Sequence, residues 1–172
     1  MEGLDIVAKL MAISARTAPK SKGEDFVQTR VLEGHVLQKL AAAMDEYGRR
    51  SGKRDFDRDA RGIGHCGAVL LVGIKDAKPV GLNCGACGFE ECKKLVEQQK
   101  TGGEFKGPWC AFRLLDMGIA LGSAVKTASM HNVDNRIMYR VGMIVRRMGL
   151  VEWDVVMGIP LSASGKNIFF DR

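Results

Sequence analysis

Four cysteines lie close together in this chain, Cys84, Cys87, Cys92 and Cys110, in the spacing C-x2-C-x4-C-x17-C. Three of them fall within the nine residues 84–92, threaded with Gly85 and Gly88. Small apolar packing is a poor account of so dense a run. Thiolates are soft ligands, suited to iron–sulfur clusters and to zinc. A Cys-x2-Cys pair can present both sulfurs to one centre from a tight turn. The two glycines free the backbone to fold round that centre and to aim N–H groups at it. Such donors stabilise thiolate charge and raise a cluster's reduction potential. The cysteine loop is therefore read as a metal-binding segment.

Zinc sites usually bring their ligands as two similar short pairs. Here the second pair, Cys92 and Cys110, is spread over 17 intervening residues. The run C-G-x-C-G-aromatic-x-x-C instead suggests a cubane 4Fe–4S cluster, with zinc and a metal-free turn as the alternatives. Cys92 and Cys110 are each expected near the start of a helix, where the dipole favours negative charge by ~0.3–1 kcal/mol. Cys66 stands apart, and with His65 it reads as a small buried thiol beside a strand-start histidine.

The N-terminus has no basic leader region, and the most apolar stretch, residues 117–125, is far shorter than a membrane span. The expectation is a cytoplasmic protein, whose thiols stay reduced and whose clustered cysteines bind metal rather than pair. The formal charge is +6, but the basic residues are scattered and aromatics are 6% of the chain. That pattern gives no support to nucleic-acid binding. A mildly positive surface suits acidic redox partners or anionic ligands.

Hydrophobic periodicity predicts helices over residues 3–15, 33–47, 89–101, 110–130 and 134–148, with Gly48 and Gly149 as stops. Strands are expected at 26–31, 65–75, 153–159 and 167–170. Residues 49–61 are dense in charge and read as a solvated connector with a short helix or strand. The 110–130 segment is apolar nearly all round, which predicts a central buried helix. Gly118 and Gly122 on it leave a smooth face for close helix approach. One domain is expected over residues 1–172.

The run Cys84-Gly85-Ala86-Cys87-Gly88-Phe89-Glu90-Glu91-Cys92, with Cys110 beyond, resembles the four-cysteine 4Fe–4S domain of the corrinoid iron–sulfur protein, a likeness that covers residues 80–112 and implies an iron–sulfur segment there within an α+β domain. The whole chain resembles a bacterial and archaeal family of ferredoxin-domain proteins. That likeness implies that Cys84, Cys87, Cys92 and Cys110 are all cluster ligands and that the protein carries single electrons. The flanks resemble the nitroreductase family through Arg16-Thr17-Ala18-Pro19-Lys20-Ser21, Leu115-Asp116-Met117-Gly118-Ile119-Ala120 and Met157-Gly158-Ile159-Pro160-Leu161. This second likeness implies a nitroreductase-like mixed sheet with helices, an intertwined homodimer, and FMN at the subunit interface. Arg16, Lys20, Lys166 and Arg172 are then the candidates for the FMN phosphate, with exposed loop charges as the alternative. The family's opening Arg-Ser-x-Arg has no counterpart; Ser14 and Arg16 are the nearest residues. Three functional readings follow: a 4Fe–4S electron carrier, an FMN enzyme fed by the cluster, and a zinc-stapled binding module.

Overall fold

The computed structural model describes residues 3–170. Four antiparallel strands form one sheet in the order β1-β2-β4-β3: β1 is Val27–Leu32, β2 Ala68–Ile74, β3 Asp134–Asn135 and β4 Val155–Ser162. Helices α1 (Leu4–Thr17) and α5 (Ala111–Met130) cover one face. Helices α2 (His35–Ser51), α3 (Phe56–His65) and α6 (Tyr139–Arg147) cover the other. Helix α4 (Cys92–Glu97) lies in the excursion between β2 and α5.

The layering follows from side-chain alternation. Every residue of β2 is buried. Ala68, Leu70, Val72 and Ile74 join the α1/α5 core, whereas Val69 and Leu71 join the α2/α3/α6 core. A strand buried on both faces reads as a continuous apolar run, and each Val or Leu so covered stabilises by roughly 1.5–3 kcal/mol. Helix α1 buries Leu4, Ala8, Met11 and Ala15, one stripe at helical spacing.

Several boundaries differ from the periodic reading. Gly48 does not stop α2. It lies inside the helix, where a Cβ would stand 2.6 Å from the Phe56 Cβ, so its value is the close approach of α3. The stop is Gly52, at φ 67°, whose N–H donates to the Gly48 carbonyl. The short helix expected in the charge-dense connector is the start of α3, which runs on to His65 and buries Phe56, Ala60 and Ile63 on one side. The helix expected over 134–148 begins only at Tyr139. Its first residues pair with β4 instead, Asp134 with Ser162 and Asn135 with Leu161.

Residues 167–170 form no strand. Asn167 Oδ1 accepts the Phe169 N–H in a tight local turn, and Phe169 plugs the α3 side of the core. The 89–101 helix shrinks to α4, and Thr101 pairs with Gly107. Helix α5 is buried on the side facing α1 and the sheet. On its other side Leu115 and Ile119 are 58% and 46% exposed. Among the described residues, no helix is long and apolar enough to cross a membrane.

Candidate metal centre

The chain leaves the sheet after Ile74 and returns at Cys110, the residue that caps α5. All four candidate cysteines lie on this excursion or at its end, and all are free thiols. The loop that carries three of them is built from left-handed positions: Gly81 (φ 82°), Asn83 (φ 50°), Gly85 (φ 74°) and Gly88 (φ 87°). The Gly88 N–H donates to the Gly85 carbonyl at 2.9 Å and closes the turn between Cys84 and Cys87.

Asn83 ties the two ends of the loop together. Its side-chain Oδ1 accepts the Cys92 N–H at 2.9 Å, and its own N–H donates to Cys92 Sγ at 3.4 Å. Cys92 is the first residue of α4, so the asparagine satisfies one orphan donor of that helix from nine residues before it. It also holds Cys92 against the residue preceding Cys84. The amide that reaches sulfur is thus Asn83's, whereas that of Gly88 is spent on the turn.

Cys87 and Cys110 share one apolar neighbourhood. Cys110 is buried with Val80 and Leu95 in a small apolar cluster of its own, and Cys87, Phe89 and Phe112 pack against it. One pair of thiols is therefore linked through a polar clamp and the other through an apolar contact. Cys84 points to solvent and Cys110 is enclosed. Among the described residues, no three His, Cys, Asp or Glu side chains are gathered closely enough to hold a metal as they stand. The donor set fits a thiolate-ligated centre in chemistry and in neighbourhood: four reduced sulfurs, no disulfide, on one loop and one helix cap.

Cys66 is set apart by physics as well as position. It closes α3, donates its thiol to the Ile63 carbonyl at 3.2 Å, and is buried. Burial pushes its thiol up from 9.0 to about 12, so it carries no thiolate near neutral pH. His65 ends the same helix, with Nδ1 2.8 Å from the Arg61 carbonyl oxygen, and takes no part in a ligand pair.

Of the basic residues suggested for a flavin phosphate, Arg16 and Lys20 are engaged within the fold. Lys20 is buried and gives its three ammonium protons to the Ala15, Arg16 and Ala18 carbonyls, at 3.3, 2.6 and 2.7 Å, so it caps α1. Arg16 donates to the Val27 carbonyl and pairs with Asp25 at 3.0 Å. Lys166 is exposed beyond β4, and its carbonyl accepts from Ser164 Oγ. Arg172 lies outside the described residues. Arg16 and Lys20 share Asp25.

A buried ionic hub was missed by the sequence reading. Arg113, 1% exposed, pairs with Asp116 at 3.2 Å and with Glu24. Its Nε donates to the Lys78 carbonyl at 2.8 Å and Nη1 to that of Ser21 at 3.0 Å. Asp116 in turn accepts both the N–H and the hydroxyl of Ser21 at 2.8 Å. The hub locks the turn after α1 and the approach to the cysteine loop onto the first turn of α5. A charged pair at i,i+3 within an otherwise apolar helix was its one sequence signal.

A family model described as "Uncharacterized protein containing a ferredoxin domain (DUF2148)" matches residues 106–172. An uncharacterised protein of Archaeoglobus fulgidus is 50% identical over 171 residues, 99% of this chain and 92% of its own length. The chain belongs to this ferredoxin-domain family. Of the four clustered cysteines, only Cys110 falls inside the span that the family model matches.

Solved structures similar to this ferredoxin-domain protein include nitroreductases. One is a nitroreductase family protein from Clostridium novyi, at TM-score 0.58 and 14% identity over 95% of this chain and 77% of its own. Another is a nitroreductase with bound FMN from Desulfitobacterium hafniense, at TM-score 0.57 and 15% identity over 94% and 79%. Identity this low establishes the fold alone. The protein therefore has a nitroreductase-like α+β fold, as its helix and sheet motifs implied.

Proposed function

We propose that this protein is a redox protein that binds one 4Fe–4S cluster through Cys84, Cys87, Cys92 and Cys110 and passes single electrons. The observation that carries the reading is the placement of four free thiols on one loop and the adjoining cap of α5. A bound cluster would supply one-electron chemistry, and the chain supplies the rest. Asn83 holds Cys92 and donates its N–H to that sulfur, an interaction that stabilises thiolate charge. Val80, Leu95 and Phe89 exclude water from the Cys110 side, and the arginine hub anchors both ends of the excursion.

The test is anaerobic purification with iron, sulfide, zinc and flavin analysis. The expected sample is brown, with a broad shoulder at ~400 nm and about four irons per chain. Cys87→Ala removes the colour. A colourless protein carrying zinc selects the binding-module reading, and a colourless metal-free protein refutes both.

A second reading, an FMN-dependent oxidoreductase fed by the cluster, is favoured by the likeness to an FMN-bound nitroreductase. The engagement of Arg16 and Lys20 within the fold weighs against those two as phosphate contacts. Association into a homodimer is part of the same proposal. Leu115 and Ile119 of α5 and Ile6 and Ile13 of α1, two helices packed side by side, are all about half exposed or more in the single chain. A second copy laid over this face would cover them.

A further inference from the structure

A cleft of about 270 Å³ opens beside Cys110. Leu95 and Val96 of α4 form one wall, Trp109 and Cys110 a second, and the turn after β2 a third. Two lysines line it, Lys78 and Lys100, and among the described residues neither has a carboxylate partner. The Lys100 ammonium rests on the face of the Trp109 indole, 3.1 Å from the ring centroid. The ring itself is fixed by its Nε1–H, which donates to the Lys106 carbonyl. A charge-assisted hydrogen bond to a carboxylate is stronger than an exposed cation–π contact, so an arriving anion would draw Lys100 off the ring. Asp76 is the one acid in the lining, and it opposes an anion there.

We propose that this cleft binds a small, flat, anionic molecule, an aromatic or conjugated monocarboxylate. Lys100 and Lys78 take the carboxylate, and the ring lies on the apolar surface of Leu95, Val96 and Trp109. The volume falls at or below the low end of the range for small-molecule pockets, which admits one ring or two and excludes a nucleotide. The occupant lies against Cys110. The site goes beyond the metal-binding reading and does not rest on it, since Cys110 forms a wall with or without a metal.

Trp109 and Trp153 are the two tryptophans of the chain, so Trp153→Phe leaves Trp109 as the sole emitter. Benzoate is titrated into that full-length variant. Acetate serves as a charge without a ring, and benzyl alcohol as a ring without a charge. The expected result is a saturable change in Trp109 emission with benzoate, with both controls about tenfold weaker or more. Lys100→Ala, at an exposed position, should weaken benzoate about tenfold, and Asp76→Asn should tighten it.

Calorimetry on the chain with both tryptophans reads the same midpoint if the Trp153 variant fails to fold. A linear, unsaturated response, or one whose midpoint Lys100→Ala leaves in place, overturns the proposal. Iron and sulfide content of the same samples is measured separately. Benzoate binding to metal-free protein therefore supports this site even where the cluster reading fails, and iron-loaded protein that ignores benzoate refutes this site alone.

Discussion

Asp116→Ala tests the buried hub most directly. The carboxylate accepts three hydrogen bonds: the Ser21 N–H and hydroxyl at 2.8 Å each, and Arg113 Nη1 at 3.2 Å. Hydrogen bonds to a charged group contribute ~1.5–3 kcal/mol, and removing one partner of a buried pair costs ~3–5 kcal/mol. These figures overlap, because all three bonds share one carboxylate. Arg113 also keeps Glu24, which is half exposed, as a second counter-charge. The net expectation is a loss of ~3 kcal/mol for Asp116→Ala. For Asp116→Asn, which retains an oxygen for Ser21, about half of that is expected. Glu24→Ala should cost less than either, since its carboxylate is screened by water. Urea unfolding of the metal-free protein, followed by circular dichroism, gives the three values, and hydrogen exchange at the Ser21 amide gives the local one. A loss under ~1 kcal/mol for Asp116→Ala, or unchanged protection at Ser21, would refute the hub as the lock between α1 and α5.

Three further outcomes are expected. The folded protein keeps the Cys66 proton up to about pH 12 while the unfolded chain releases it near 9.0, so stability is full below pH 9 and falls as pH rises. The slope approaches ~1.4 kcal/mol per pH unit. Urea midpoints at pH 8 and pH 10 should show this extra loss in the native chain and not in Cys66→Ala. At Gly142 an added Cβ would stand 1.8 Å from the Val156 carbonyl oxygen. Gly142→Ala should therefore cost ~2 kcal/mol or more in thermal unfolding, because the crowding atom is backbone. Ile119→Lys places a charge on the open face of α5 and should give a monomer in sedimentation where the native chain is a dimer. A monomeric native chain at micromolar concentration would refute the second-copy proposal.

The layers of the fold were legible because each core element repeats its apolar residues at its own period. The stripe of α1 and the unbroken run of β2 lead straight to the two cores. Legibility fails where a polar side chain, not a period, decides the conformation. Asn135 donates to the Val133 carbonyl and sits on β4, although the apolar spacing around it suits a helix. Asn167 bends the chain to insert Phe169, although the local residues suit a strand. Gly48 shows a third cause. A glycine followed by charge reads as a stop, and only the position of Phe56 shows that it marks a crossing of two helices.

At the candidate site the same division holds. Four soft donors at close spacing stand out in any conformation, so composition and spacing alone mark them as candidate ligands. Their arrangement depends on Asn83, whose side chain spans nine residues to Cys92, and on a carbonyl at Lys78 held by an arginine far along the chain. Neither contact leaves a periodic trace. Both act on the ends of the loop, outside the Gly85–Gly88 turn. A scaffold of this kind holds its thiols near one another without forcing four like charges together before a cation is present. Four converged thiolates would repel, and the enclosed one would also pay for lost solvation. Clamped ends and a glycine-jointed middle therefore suit a loop that closes only when a metal centre arrives. On that view Asn83→Ala should lower the iron retained per chain under chelator challenge while leaving the urea midpoint of the metal-free protein within ~1 kcal/mol of the native value.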